Sequence, residues 1–202
     1  YHDWSDGAER FVVVPYIRWD LDDSERTHVD LRELYWRRSF DSADLFVGMR
    51  KIFWGVTESV HLVDVINQTD LVDNGDGEDK LGQPMVQLSL LRDWGTLDLY
   101  VLTGFRQRTF AGSDGRLRPP LHVASKARYE ADLDRWHPDA ALRWSQVLGD
   151  FDVGVAHFYG TSREPRLVLD MTDAGARLVP HYDLLQQTSL DVQLTRGGWL
   201  VK

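Results

Sequence analysis

The fold is decided by the stretch PMVQLSLLRDWGTLDLYV, residues 84–101. Apolar and polar side chains alternate along it on both sides of a tight turn at 93–96. Because successive side chains of a β-strand point to opposite faces, this alternation predicts an antiparallel hairpin with one apolar face. The apolar face would carry Val86, Leu88, Leu90, Leu97, Leu99 and Val101, and the opposite face Gln87, Ser89, Asp98, Tyr100, Gly104, Arg106 and Arg108.

Segments of the same kind extend in both directions from this hairpin and give about nine predicted strands in all. One of them contains Pro15, which has no backbone N–H and therefore suits a strand edge or a bulge better than a central position. The predicted strands cover 11–19, 27–38, 44–55, 84–92, 97–109, 139–147, 151–160 and 179–194, with a last one opening at Trp199.

The connections between these strands alternate between short and long. Hairpin-sized turns are predicted at 93–96, 148–150 and 195–198, whereas the connections 56–83, 110–138 and 161–178 are long and would all lie on one side of a sheet. Outer-membrane barrels have short turns on the periplasmic side and long loops outside. The spacing therefore predicts an all-β fold, an antiparallel up-and-down transmembrane β-barrel or part of one.

We expect residues 1–202 to form a single domain that is a segment of a larger barrel. No repeat, linker or low-complexity tract divides the chain. The last predicted strand would be only four residues long, and such a strand leaves an open edge that lipid cannot satisfy.

The composition excludes several other classes of protein. The chain has 202 residues, a net charge of −9, 43% hydrophobic residues, no Cys and a mean hydropathy of −0.38. An acidic chain lacks the basic footprint of a nucleic-acid-binding protein. A run of eighteen apolar residues is also missing, which excludes a transmembrane helix, but alternating barrel strands are compatible with this hydropathy.

Aromatic residues gather near the predicted strand ends and loop edges. Membrane barrels carry girdles of aromatic side chains at both membrane interfaces, although aromatic residues also frame soluble β-sandwiches. The residues that would form the girdle are Trp54, Trp94, Trp136, Trp199, Tyr129, Tyr159 and Tyr182.

Residues 44–55 read DLFVGMRKIFWG, and residues 63–70 read VDVINQTD. Together they resemble a local pattern of the porin-like outer-membrane β-barrel family of proteobacteria, an uncharacterised barrel group to which phosphate-selective porins are more distantly similar. There are two departures: the acidic residue expected directly after Trp-Gly is displaced to Glu58, and Gln68 stands where proline is expected. The resemblance is carried by Gly48, Arg50, Lys51, Trp54, Gly55, Asp64, Asn67 and Asp70.

The stretch 70–79 is a dense acidic loop. Carboxylates at this density make it a weak candidate for Ca²⁺, but Gly75 and Gly77 occupy positions where ligands of the twelve-residue calcium loop belong. A solvated loop is the simpler interpretation. In a barrel the loop could instead fold inward and form one wall of a constriction. Its carboxylates belong to Asp70, Asp73, Asp76, Glu78 and Asp79.

The natural counterpart of the acidic loop is a set of six arginines, four of which occupy the non-lipid side of their predicted strands. Rings of charged side chains set ion selectivity in pores, so these arginines could face the acidic residues of 56–83, including Glu58, across a lumen. The alternative is structural pairing with Asp98, Asp152 and Asp191. The set comprises Arg37, Arg38, Arg50, Arg106, Arg108 and Arg143, of which Arg50, Arg106, Arg108 and Arg143 are the selectivity candidates.

Signatures of enzymes are missing from the sequence. The seven His are scattered without an H-E-x-x-H motif, and neither a G-x-S-x-G motif nor a P-loop occurs. We therefore expect no enzymatic activity, no cofactor and no metal centre.

The sequence as a whole predicts a channel or porin-like protein of the bacterial outer membrane, for passive passage or export-associated transfer of small solutes. Its expected partners are the lipid bilayer, lipopolysaccharide and small solutes, with other subunits or export components as further candidates and no nucleic acid. The alternative is a secreted or periplasmic β-sandwich that binds carbohydrate, with Trp94 and Trp136 as stacking platforms.

Overall fold

The computed structural model describes residues 1–58, 60–73, 76–116, 118–173 and 175–202. Short 3-10 turns lie at Ser5–Gly7, Ser24–Arg26 and Asp134–Trp136. No helix in this described part of the chain is long and apolar enough to cross a membrane. The strands are β1 (His2–Trp4), β2 (Glu9–Arg18), β3 (His28–Phe40), β4 (Ala43–Arg50), β5 (Gln83–Arg92), β6 (Gly95–Leu102), β7 (Arg128–Tyr129), β8 (Asp139–Leu148), β9 (Phe151–Thr161), β10 (Arg166–Thr172), β11 (Gly175–Tyr182), β12 (Leu184–Arg196) and β13 (Trp199–Val201).

Most of these strands form one large antiparallel sheet. Its ten strands follow the order β1-β2-β3-β4-β5-β6-β8-β9-β12-β13, and the described residues form a second, three-stranded sheet in the order β10-β11-β7. The architecture confirms the expected all-β class with antiparallel pairing of strands that follow one another. In the described residues β1 and β13 stand at the two edges and do not pair with each other, so the large sheet is open.

The connections of the large sheet are sorted by length, as the sequence predicts. The turns at 41–42, 93–94, 149–150 and 197–198 are two residues long and lie at one end. The segments 51–82, 103–138 and 162–183 leave from the opposite end. We call these the turn end and the loop end of the sheet.

A β-bulge interrupts the pairing of β2 with β3. Val14 pairs with Glu33 and Pro15 with Leu31, so Arg32 is the extra residue on β3. Pro15 cannot donate a ladder hydrogen bond, which is why the irregularity falls beside it, as its chemistry suggests. The bulge reverses the alternation of β3 and brings Arg32 to the loop end on the same side as Tyr16.

Two predicted strands are too long at the loop end. The strand predicted for 44–55 ends at Arg50, because the amide of Ile52 donates to the Asn67 side chain. The strand predicted for 97–109 ends at Leu102, because the chain turns away and the Phe105 amide donates to the carbonyl of Arg135. Side-chain and loop partners outside the local sequence replace the ladder in both cases.

The single strand predicted for 179–194 is two strands, β11 and β12, which belong to different sheets. The break falls at Asp183, where the next amide, that of Leu184, donates to the Glu130 carboxylate at 2.7 Å. The long connections also hold β7, β10 and the start of β11. The described residues therefore contain thirteen strands rather than about nine.

The two faces of the large sheet differ sharply. One face, which we call the apolar face, carries large apolar side chains that are exposed, as the 50% exposure of Val101 and 64% of Leu190 illustrate. The opposite face, the polar face, carries Gln87, Asp98 and Tyr100, and the long loop 51–82 covers part of it. The exposed apolar face includes Phe11, Val13, Val47, Val86, Leu99, Val101, Leu142, Val155, Tyr159, Leu190 and Trp199.

The main hydrophobic core lies between the polar face and the loop 51–82. From the loop come Trp54 and Ile66, both almost fully buried. From the sheet come Met85, Leu102 and Phe158, with Tyr100 and two alanines beside them. The core is therefore on the side of the sheet that the alternation marks as polar. It forms there because the loop 51–82 supplies the apolar side chains that cover this side.

Candidate functional site

The candidate site consists of the polar face and the inner loop, the name we use for residues 51–82. One side chain holds the base of this loop together. The Asn67 side-chain oxygen accepts from the Ile52 amide at 2.7 Å, and its nitrogen donates to the carbonyls of Arg50 and Leu81, both at 2.9 Å. Asn67 is buried, so these three hydrogen bonds satisfy backbone groups that water does not reach.

Trp54, Gly55 and Asp64 shape the next part of the inner loop. The Trp54 amide donates to the Asp64 carboxylate at 3.3 Å, and the Trp54 ring packs edge-to-face on Tyr100 with centroids 5.6 Å apart. Gly55 has a φ of +104°, and a Cβ there would lie 2.6 Å from the Val63 side chain. Burial raises the pKa of Asp64, against the opposing attraction of Lys80, whose Nζ lies 3.4 Å away.

Gly48 belongs to the same family-like pattern as Trp54, Asp64 and Asn67, but its role lies in the sheet and not in the inner loop. It lies in β4 with a φ of +135°, and a Cβ there would lie 2.2 Å from the backbone oxygen of Leu34 on β3. The close approach of the two backbones therefore requires glycine. Gly48, Trp54, Gly55, Asp64 and Asn67 thus all have structural roles in β4 and the inner loop.

The carboxylates of Asp70 and Asp73 point away from solvent and bind Arg32. Asp70 accepts from Arg32 Nη1 at 2.7 Å, and Asp73 is in close contact with Arg32 Nη2 and lies 3.4 Å from Arg18 Nη1. The Arg32 guanidinium also lies 4.2 Å from the centre of the Tyr16 ring. The counter-charge of the acidic loop is thus Arg32, which is not a member of the predicted arginine set. Simple alternation places Arg32 on the other face, because it does not reveal the bulge.

The remaining acidic residues have separate, local contacts. Asp76 accepts from the Glu78 amide at 3.1 Å, the Glu78 carboxylate lies 2.8 Å from His61, and the Asp79 carbonyl accepts from the Asp70 amide at 2.7 Å. Gly75 lies outside the described residues. Within the described ranges, no group of three or more His, Asp or Glu side chains could hold a metal ion.

Glu58 lies at the exposed surface of the inner loop and forms an ion pair with Lys202, next to β13. Gln187 of β12 also donates to the Leu62 carbonyl at 3.0 Å. The inner loop therefore reaches across the polar face to the far side of the large sheet.

Arg106 and Arg108 lie beyond the end of β6, not on a strand as predicted. Arg106 Nη2 donates to Asp30 at 2.6 Å, and Arg108 makes a bidentate pair with Glu164, both distances being 2.7 Å. Arg108 Nε also donates to the buried Gln68 side chain at 3.2 Å. Both arginines hold loops together, and the departure from the family-like pattern at Gln68 provides one of the contacts.

Tyr182 fixes the same region from β11. Its hydroxyl accepts from the Arg108 amide at 2.9 Å, and its ring packs with Phe105 and Tyr129. Burial raises the pKa of Tyr182 to about 12, so the hydroxyl stays neutral. Trp54 and Tyr182 are both buried, which corrects their expected place in an exposed aromatic girdle.

Arg163 is a buried residue of the site that the sequence does not single out. It is buried, donates to the Asp139 carboxylate at 2.8 Å and donates to the carbonyl of Ile66 in the inner loop, also at 2.8 Å. Burial lowers the pKa of Arg163, while the Asp139 carboxylate opposes this shift. Its connection between strand end and loop comes only from tertiary packing, so no local pattern could have indicated it.

Arg143 and Asp191 form a bidentate pair across β9, at 2.7 and 2.8 Å. The pair crosses over Gly154, where a Cβ would lie 2.2 Å from Arg143 Nη2. A cavity of about 530 Å³ lies beside this pair near the turn end, and Val56 of the inner loop lines it together with Asp152. Arg143 is thus on the polar face, as predicted, in a direct ion pair.

Arg50 and Asp98 are on the polar face and do not contact each other directly. Arg50 Nη1 donates to the side-chain oxygen of Gln87, whose nitrogen donates to Asp98 at 3.0 Å. Arg37 pairs with Asp44 on this face. Arg38, the remaining member of the predicted basic set, lies 3.8 Å from Glu9.

No family model, no curated protein and no solved structure matches this chain.

Proposed function

We propose that this chain forms the wall of an outer-membrane β-barrel channel, a porin-like protein for passive passage or export-associated transfer of small solutes. The observation that carries the proposal is the arrangement of the ten-stranded sheet, with an exposed apolar face on one side and a charged, hydrogen-bonded face on the other. In a membrane barrel the apolar face meets lipid and the polar face lines the lumen.

The size of the exposed apolar face supports this assignment. Its members lie on neighbouring strands from β2 to β12 and continue across the sheet, for example from Val86 to Val101 and Val155. An exposed apolar surface of this extent marks an interaction site or a membrane-contacting surface. The partners proposed for it are the lipid bilayer and, in the outer leaflet, lipopolysaccharide.

The edges of the sheet support a larger assembly. In the described residues, β2 pairs with β1 only at Glu9–Phe11, and β12 pairs with β13 only at Leu194–Arg196. The unpaired backbone groups along the rest of these edges could not be left in lipid. We infer that further strands, from the same chain or from other subunits, complete the closed barrel.

The inner loop supports a channel that is constricted rather than wide. It folds over the polar face and is held there by Trp54 and Ile66. In the proposed barrel it narrows the lumen near the loop end, and the cavity beside Arg143 continues below it. Solutes would then pass between the loop and the lumen wall.

A secreted or periplasmic carbohydrate-binding β-sandwich is the second candidate. The exposed rings of Trp94 and Trp136 favour it, because aromatic faces can serve as stacking platforms for sugars. This candidate requires another layer over the apolar face, since the apolar face of a sandwich is its core. It predicts that Trp136→Ala abolishes retention on a glycan column by a soluble protein.

Fractionation of a Gram-negative cell that expresses the complete protein tests the proposal. We expect the protein in the outer membrane, and we expect it to migrate faster on a gel before boiling than after, because a closed barrel resists unfolding by detergent. A soluble protein without a heat-dependent shift would overturn the channel proposal and leave the sandwich. As a control, the variant Val101→Ala keeps the alternation of apolar and polar side chains and should fractionate and migrate like the wild-type protein.

A further inference from the structure

The guanidinium groups on the polar face of the large sheet are not equivalent. Among the described strand residues on this face, five of the six have a carboxylate in direct contact, whereas Arg50 has none within the 4.0 Å of an ion pair. The paired groups are Arg10 with Asp3 at 2.6 Å, Arg18 with Asp73 at 3.4 Å, Arg32 with Asp70 at 2.7 Å, Arg37 with Asp44 at 3.1 Å and Arg143 with Asp191 at 2.7 Å.

Aromatic rings surround the Arg50 guanidinium instead. Its central carbon lies 3.7 Å from the centre of the Phe46 ring and 4.9 Å from that of Tyr35. Cation–π contacts of this kind hold a cation in place without supplying a counter-charge, and the carboxylates of Glu33 and Asp98 attract Arg50 only from beyond ion-pair distance. The positive field of Arg50 therefore extends over the polar face.

Gln87 is the reason why Arg50 and Asp98 do not form an ion pair. The Gln87 amide lies between them, accepting from Arg50 and donating to Asp98 at 3.0 Å and to the Tyr100 hydroxyl at 3.3 Å. The three side chains belong to β4, β5 and β6, so the neutral amide occupies the strand between the two charges.

We propose that Arg50 gives the channel a preference for small anionic solutes, and that Gln87 maintains this preference by keeping Asp98 away from Arg50. The inference rests on the proposed channel function and names the solute class. Arg106 and Arg108 are in direct ion pairs with Asp30 and Glu164, so they contribute much less net field. A guanidinium stays charged at every working pH, which makes this attraction permanent.

The test is the reversal potential of the complete protein in planar bilayers across a KCl gradient, with chloride as the anionic probe. We expect an anion preference that Arg50→Gln reduces by up to about fivefold in the permeability ratio, the effect of one unit charge at contact distance in water. Arg50→Lys should retain the preference because it keeps the charge. The double variant Arg37→Gln/Asp44→Asn, which removes a directly paired cation and anion, should also retain it.

A second variant separates the position of the charges from their number. Gln87→Leu keeps both charges but removes the bridging amide, so we expect Arg50 and Asp98 to approach each other and the anion preference to fall as in Arg50→Gln. The matched control is Ser89→Ala. Ser89 lies on β5, as Gln87 does, and pairs with Asp98 of β6, but it does not contact Arg50.

The outcomes distinguish this inference from the proposed function. If the heat-dependent gel shift and conductance are present but Arg50→Gln and Gln87→Leu retain the wild-type permeability ratio, the inference is overturned and the channel stands. If the wild-type protein inserts and conducts no ions, the proposed function fails, and the role of Arg50 fails with it.

Discussion

At the scale of single residues, Asn67 shows how one side chain can hold both ends of a loop in place. Its side chain satisfies one amide and two carbonyls at the point where the inner loop leaves and rejoins the sheet. Each group would otherwise be buried without a partner, which costs more than the net gain of an ordinary hydrogen bond. The local sequence signals the importance of this residue only through its place in the family-like motif.

Replacing Asn67 by Leu should loosen the inner loop without removing the large sheet. We expect a loss of about 2–4 kcal/mol of unfolding free energy, from three hydrogen bonds and the groups left unpaired. Limited proteolysis should then cut within 51–82, while the wild-type loop resists. Asp76→Ala, a change at an exposed position of the same loop, is the control, and equal cleavage of both variants would contradict the clamp.

The raised pKa of Asp64 predicts a pH dependence of stability. The folded protein holds this proton to higher pH than the unfolded chain does, so the free energy of unfolding falls as pH rises from about 3.9, the ordinary Asp value, through the raised folded-state value. Asp64→Asn has no proton to lose. Its stability relative to the wild type should therefore improve between pH 3.5 and pH 7 in urea titrations followed by tryptophan fluorescence. A relative loss over that range would mean that attraction by Lys80 outweighs burial.

Gly154 is predicted to be intolerant of a side chain. In Gly154→Ala the added Cβ would meet Arg143 Nη2 at 2.2 Å and Asp191 Oδ2 at 2.6 Å, so the pair must shift. We expect a cost of about 1 kcal/mol, at the low end for overpacked sites because the contacted atoms are the ends of flexible side chains, seen as a lower urea midpoint. Ser189→Ala, on the same face of neighbouring β12, should leave the midpoint nearly unchanged, and a similar loss in both would contradict the proposed crossing.

At the scale of elements, the alternation of apolar and polar residues predicts the ends of a strand wherever backbone hydrogen bonds to the neighbouring strand alone determine them. The predicted segment 84–92 matches β5 and 139–147 matches β8 within one residue, because each is bounded by a tight turn at one end. At the loop end the limits depend on distant partners such as Asn67, Arg135 and Glu130. Those partners are set by tertiary packing, and no strand pattern contains them.

The bulge between β2 and β3 explains the main gap in the predicted site. Pro15 indicates an irregularity, but its consequence, a reversal of the faces at Arg32, depends on which residue of the partner strand is skipped. The acidic residues Asp70 and Asp73 could therefore be identified from sequence while their partner could not. Arg50 and Arg143 lie on the polar face that alternation indicates, because the pairing of β4 and β8 has no such shift.

At the scale of the whole molecule, the two faces of the large sheet predict different costs for the introduction of an arginine. In the proposed barrel, Leu99→Arg should cost about 2–4 kcal/mol of folding free energy in lipid, because it places a charge at membrane depth. Ser89→Arg, on the lumen side, should cost much less. The measurement is the folded fraction, by gel mobility, in urea-containing lipid vesicles, and equal effects at the two positions would contradict the orientation of the sheet.

The three hydrogen bonds of the Asn67 side chain also make the geometry of the sheet independent of part of the inner-loop sequence. Since one side chain fixes the spacing between residues 50, 52 and 81, and Asp70 and Asp73 are bound to Arg32, it is the chain between 73 and 80 that can change in length or composition without moving β4 relative to β5. This part of the inner loop can therefore be exchanged while the sheet stays unchanged. In the proposed channel, replacing these few residues would change the solute preference while the register of every strand stays as it is.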